Sequence, residues 1–172
     1  MAGELKLNNV SVATESGGVV SLSAANTLAF PTGHIVQMQT AVSTTTLNIG
    51  SGTSDATWVD TNLSVNITPK FNNSKIYLHH VVATLLNNSS SFGMRFNRTV
   101  PTATSLNPSY TYHIGAFWIP GHSSLMSFDT PSTTSQCTYM VQVYKAQNGI
   151  YWNYNGPGSP FEAQLIAMEI KQ

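Results

Sequence analysis

The densest chemistry in this sequence is imidazole, since His79 and His80 are adjacent and His113 and His122 flank a short apolar run. Two histidines share one metal ion only if both rings face one point, and neighbours on a strand face opposite sides of the sheet. The pair therefore reads as two ordinary strand histidines. His113 and His122 have no Asp or Glu close in sequence to orient a ring for base catalysis or ligation. The seven Asp+Glu residues form no HExxH or calcium-loop pattern, and Asp55 and Asp60, which bracket Trp58, read as loop and strand-end residues. Cys137, the single cysteine, has apolar companions and no cation nearby to favour a thiolate, so it reads as an inert buried thiol. No catalytic, metal-binding or cofactor-binding residue is expected.

Aromatic stacking is the chemistry that remains. Tyr110, Tyr112, Trp118, Tyr151, Trp152 and Tyr154 are candidates for an interface or for contact with a glycan, because an amphipathic ring serves either purpose as well as it serves a core. Alternation along Tyr151-Trp152-Asn153-Tyr154 sets Trp152 opposite both tyrosines, so one of the two sets must face away from the core.

These residues have to be positioned by a chain of 172 residues, of which only 8% are charged, with Lys+Arg 7 balancing Asp+Glu 7. So few basic side chains exclude a protein that holds nucleic acid through its phosphates. Polarity comes instead from 20 Ser, 20 Thr and 15 Asn, which favour strands and turns over helices. The start, Met1-Ala2-Gly3-Glu4, has no signal-peptide pattern and no apolar run is long enough for a membrane-spanning helix, so a soluble protein made in a cytoplasm is expected.

Period-two alternation with Gly, Pro and Asn punctuation recurs throughout. The spacing predicts an all-β chain, an antiparallel β-sandwich of jelly-roll type built from eight to ten short strands, with an extended N-terminal β arm. Residues 1–33 form the arm and 34–172 the head. Leu63, Val65 and Ile67 mark a half-buried strand closed by Pro69. Lys75 to Leu85 is apolar on both faces and so reads as a central strand covered on both sides. Residues 99–108 read as a loop, Pro120-Gly121 as a turn, and Gln147-Asn148-Gly149 as a hairpin signal. Cys137, Tyr139, Val141 and Val143 share one strand face, and Phe161 to Ile170 makes the last strand.

Three stretches, Pro31-Thr32-Gly33-His34-Ile35-Val36-Gln37, Trp58 to Pro69 and Ser74-Lys75-Ile76-Tyr77-Leu78, together with the ending Ile166-Ala167-Met168-Glu169-Ile170, resemble a module of virion proteins in tailed bacteriophages, especially marine ones. Gly3 to Asn8 with Thr14 to Gly18 is similar to the short arms that precede that module. The resemblance implies a non-enzymatic protein of the virion surface with a jelly-roll head, assembled as a homotrimer and bound to the major capsid protein or to tail proteins. It brings over no catalytic residue. Capsid decoration or a short head fibre is the expected role, because the chain has no extended shaft. The alternative is a tail-fibre or tail-tip adhesin that recognises a host surface glycan, and a glycan-depolymerising tail enzyme would need carboxylates gathered in one groove.

Overall fold

A computed structural model describes the backbone of residues 3–7, 10–16, 19–22, 31–49, 57–86, 91–112, 119–145, 150–154 and 161–172; side chains are described from 31 onward in these ranges except at 86, 91, 111–112, 119–120 and 145. The chain divides into two compact units, Met1–Pro31 and Thr32–Gln172. In the first, β1 (Gly3–Leu7), β2 (Val10–Ser16) and β3 (Val19–Leu22) fold back on one another as a three-stranded antiparallel sheet.

Among the described residues the second unit holds eleven strands in two antiparallel sheets: β4 (Ile35–Ser43), β5 (Leu47–Asn48), β6 (Thr57–Ile67), β7 (Lys75–Leu86), β8 (Ser91–Val100), β9 (Thr104–Ser105), β10 (Ser109–Tyr112), β11 (Ile119–Asp129), β12 (Cys137–Lys145), β13 (Ile150–Trp152) and β14 (Ala163–Ile170). One sheet runs β10-β8-β12-β6, with β9 beside β8. In the other, β4-β14-β7-β13-β5 is the path and β11 also pairs with β7. β14 pairs with β7 at Lys75–Val81 and β13 at Thr84–Leu86, while β11 pairs with it from Ile76 to Leu86. A strand has two edges, so β11 occupies one and β14 and β13 divide the other.

The alternation expected of each strand is what joins the sheets. Leu63, Val65 and Ile67 of β6, Phe92, Met94 and Phe96 of β8, and Cys137, Tyr139, Val141 and Val143 of β12 belong to the same buried cluster as Ile76, Leu78 and Val82 of β7 and Leu165 and Ala167 of β14. Two faces, one from each sheet, thus enclose one core.

Two strands depart from the reading of the sequence. Pro120-Gly121 lies inside β11, opposite Leu85 and Thr84, and is not a turn. Among the described residues β11 is bonded on one edge, by β7, and a proline without an N–H is tolerated on such a strand. Part of 99–108 is also ordered by pairing: β9 bonds back to β8, and the Leu106 N–H donates to the Phe96 carbonyl at 2.8 Å. The hairpin signal at 147–149 lies outside the described residues.

Buried acid closes one end of the sandwich. Glu169 of β14 is wholly buried, and its Oε1 accepts from the Lys70 N–H (2.8 Å), the Phe71 N–H (3.1 Å) and the Ser74 hydroxyl (2.7 Å), while Oε2 accepts from Gln37 Nε2 (2.6 Å). One carboxylate therefore fastens the β6–β7 turn to β4. Glu169→Ala strips partners from two backbone N–H groups at once and is expected to lower unfolding free energy by about 3 kcal/mol in urea titration. Glu162→Ala, at an exposed position, is expected to change it by no more than about 0.5 kcal/mol.

Candidate functional site

The core uses one face of each sheet, and functional chemistry has to be sought on the two outer faces. On the β10-β8-β12-β6 sheet, register places Trp58 opposite Tyr144, Tyr144 opposite Gly93, and Gly93 opposite Tyr110, a single row across four strands. The rings touch: Trp58 and Tyr144 have centroids 5.3 Å apart, Trp58 and Tyr110 5.9 Å, and Tyr110 and Tyr144 5.7 Å in an edge-on pair. Gly93 makes this possible. A Cβ built there would lie 2.8 Å from Tyr110 Cδ1, so only glycine lets the ring cross the strand.

One step along the same face is a polar row. Asp60 stands opposite Gln142 and Gln142 opposite Arg95. Arg95 Nε donates to Gln142 Oε1 at 2.7 Å, and Gln142 Nε2 donates to Asp60 Oδ1 at 2.6 Å. The Arg95 guanidinium also sits 4.3 Å over the Trp58 ring, a cation–π contact that links the rows. Burial there draws its pKa below the ordinary arginine value, with Tyr110 and Asp60 pulling the other way.

A bulge brings Trp58 and Asp60 to this place. Between Asp60 and Ser64, β6 has two residues more than β12 has between Met140 and Gln142. Asn62 takes a φ of 60°, and the Thr61 hydroxyl donates to the Val141 carbonyl at 2.8 Å in place of a ladder bond.

The outer face of the other sheet is different in kind. Its rows read Met38-Met168-Tyr77-Phe128, Thr40-Ile166-His79-Met126 and Val42-Gln164-Val81-Ser124 across β4, β14, β7 and β11. None of these positions holds Asp, Glu, Lys or Arg. Met38 (55% exposed), Val42 (59%), Met126 (61%) and Phe128 (57%) are open to solvent. Among the described residues of the second unit nothing packs over this face, so the cover expected on both sides of β7 is found on its core side, and Val81 keeps 38% of its surface exposed.

His79 and His80 do face opposite sides. His80 is wholly buried, and its Nδ1 donates to the Gln164 carbonyl at 2.8 Å while Nε2 accepts from the Trp152 indole N–H at 3.3 Å. Those partners fix a neutral ring with its proton on Nδ1. Burial, opposed by the Gln164 bond and reinforced by His79, lowers its pKa from 6.5 to about 4. Asp129 accepts from Arg98 Nη1 at 2.6 Å and from the Tyr139 hydroxyl at 2.7 Å. Burial, and next the Asp129 carboxylate, hold that phenol far above its ordinary range. Burial likewise raises the Cys137 thiol. Among the described residues no three His, Cys, Asp or Glu side chains converge as a metal site requires, and no helix is long and apolar enough to cross a membrane.

The aromatic residues singled out from the sequence scatter. Tyr110 joins the outer row and is 58% exposed. Trp152 is wholly buried against His80, at ring centroids 5.9 Å apart. Tyr151 and Tyr154 are half-buried and meet edge-on at 6.0 Å. Tyr154 also lines a cleft of about 250 Å³ with Ala83, Thr84, Gly121, His122 and Phe161. The Tyr112 side chain and Trp118 lie outside the described residues, as do His113 and Asp55. Trp58, Arg95, Gln142 and Tyr144 were not among the sequence candidates; the signal for them was the outward parity of their positions on three strands, legible only once those strands are paired.

The neutral His80 ring makes stability depend on pH with a definite sign. Its folded pKa is below the unfolded value, so protons favour the unfolded chain: the contribution is complete above pH 6.5 and falls away as pH drops toward 4. Unfolding free energies of the natural chain and of His80→Gln are therefore expected to converge by about 3 kcal/mol between pH 7 and pH 4, as read by denaturant titration at each pH. Parallel curves would contradict a buried neutral ring.

Comparison with known proteins adds no further constraint on these faces: no protein-family model matches the chain, and no curated protein does.

Proposed function

We propose that this chain is a non-enzymatic structural protein of a bacteriophage virion surface, a capsid decoration or short head-fibre protein, whose second unit trimerises through the outer face of the β4-β14-β7-β11 sheet. The observation that carries the assembly is that face itself. An antiparallel sheet exposed to water presents polar residues on its wet side, and contiguous exposed apolar surface marks an interface. Here three successive rows of the wet side carry methionines, Phe128 and valines without one fixed charge, and Lys75 stands beyond them at the start of β7. The formal net charge of +0 sets no repulsion against self-association. The virion assignment rests on the resemblance of Pro31–Gln37, Trp58–Pro69 and Ser74–Leu78 to the phage module.

Strand order supports the jelly-roll reading. Leaving aside strands of two or three residues, the second unit has eight in chain order: β4, β6, β7, β8, β10, β11, β12 and β14. One sheet takes the first, eighth, third and sixth, and the other takes the second, seventh, fourth and fifth. That interleaving is the order expected of a jelly roll with two Greek keys, and it supports that reading. In this reading residues 1–33 are the arm that attaches the head to a capsid or tail protein by strand addition. The adhesin alternative is favoured by one observation, the aromatic and polar rows on the opposite sheet.

Light scattering coupled to size exclusion is expected to give three times the chain mass, and Met126→Lys or Phe128→Lys to reduce it to one, since a buried unpaired ammonium is not tolerated in an apolar interface. A natural chain that runs as a monomer at micromolar concentration would remove the assembly. Deleting residues 1–31 is expected to leave the head folded and to abolish incorporation into particles; truncated protein retained in purified particles would refute the arm.

A further inference from the structure

We propose that the outer face of the β10-β8-β12-β6 sheet is a saccharide-binding site, where an uncharged pyranose stacks on Trp58 and Tyr110 while Arg95, Gln142 and Asp60 take its hydroxyls. The proposal gives the adhesin alternative a ligand class and a place. It rests on that alternative and not on the trimer.

Three observations carry it. First, the rings are outside the core. Trp58, Tyr144 and Tyr110 stand on the outward positions of their strands, and position 93 between them has no side chain, so the Tyr110 ring lies across the sheet. A pyranose presents a face of C–H groups that packs on an aromatic ring, and its equatorial hydroxyls point outward around the rim.

Second, the polar row lies two residues further along each strand, about 7 Å away, within reach of one sugar ring seated on the aromatic row. Arg95 is already held in place by Gln142 and Trp58, and among the described residues no group pairs with its Nη1 or Nη2 or with Asp60 Oδ2. Donors and an acceptor that are pinned yet unfilled bind with little ordering cost. A guanidinium and a carboxylate side by side match neighbouring hydroxyls, each of which donates and accepts.

Third, charge selects among ligands. Arg95 and Asp60 cancel, and the chain as a whole has a formal net charge of +0. No excess positive potential exists to draw a phosphate or a sialic acid carboxylate. An uncharged hexose unit therefore fits better than an anionic sugar or a nucleotide.

The test is calorimetric titration of the full chain with lactose, maltose, cellobiose and mannobiose, with 3′-sialyllactose as the charged comparator. At least one neutral disaccharide is expected to bind with a millimolar or tighter Kd. Trp58→Ala and Arg95→Met are each expected to weaken it about tenfold, and Gly93→Ala to weaken it by displacing Tyr110. Should Trp58→Ala lose its fold by circular dichroism, Trp58→Phe and Arg95→Met carry the reading. No binding of any neutral probe, binding of the sialylated sugar alone, or affinity unchanged by both Trp58 and Arg95 substitutions would overturn the site. Met126→Lys, on the other sheet, is expected to bind as the natural chain does, and loss of binding there would also overturn it. Because binding is read on the isolated chain, failure of the trimer or of a tail location leaves this result standing.

Discussion

The pairing of β7 between its neighbours is the constraint on which the second unit depends. Twelve residues, Lys75 to Leu86, are bonded along one edge by β11 and along the other by β14 and then β13. The same strand supplies Ile76, Leu78, His80 and Val82 to the interior. Because side chains alternate, fixing those four inward commits Tyr77, His79 and Val81 to the opposite face. Core and assembly surface are thus the two sides of one decision about register. A slip of one residue would exchange them, leaving His80 in water and Val81 in the core.

The chain's low charge gives the polar groups that are buried unusual weight. Glu169 gathers four donors and Asp129 two, and His80 is held between a carbonyl and an indole. Asn153 works the same way without a charge: wholly buried, with a φ of 53°, it donates through Nδ2 to the Ser43 and Thr45 carbonyls and so ties the end of β4 to the strand β13. Glu169 and Asn153 satisfy backbone groups that leave the sheets at their ends, while Asp129 joins two side chains. At Glu169, which Ser74 bonds, and at Asn153 the Ser, Thr and Asn surplus stands in for salt bridges, while Asp129 keeps one with Arg98.

Much of this was legible in the sequence because it is local. The alternation of Leu63, Val65 and Ile67, the shared face of Cys137, Tyr139, Val141 and Val143, and the opposite facing of His79 and His80 need only a period of two. Pro120 was misread because proline's meaning depends on whether its strand has a second neighbour, a fact of topology. The aromatic row was illegible for a similar reason. Trp58, Gly93, Tyr110 and Tyr144 are distant in sequence and meet only through three separate registers. Trp152, grouped with surface candidates by its neighbours, lies in the core because its strand is three residues long and its indole N–H finds His80 there.

The bulge in β6 obeys a rule of parity. Its surplus over β12 is two residues, an even number, so every side chain on the N-terminal side of it keeps the face it would have had without the insertion. Thr61 and Asn62 therefore bend and offset the strand without inverting it. A deletion of both would bring β6 to the same count as β12, leaving the pairs Asp60 with Gln142 and Ser64 with Met140, and inside and outside, intact. Removal of one would turn Trp58 and Asp60 inward and Val59 outward unless a one-residue bulge, such as β8 has between Arg98 and Val100, absorbs the odd count, so tolerance of length change in this segment is expected to favour even counts.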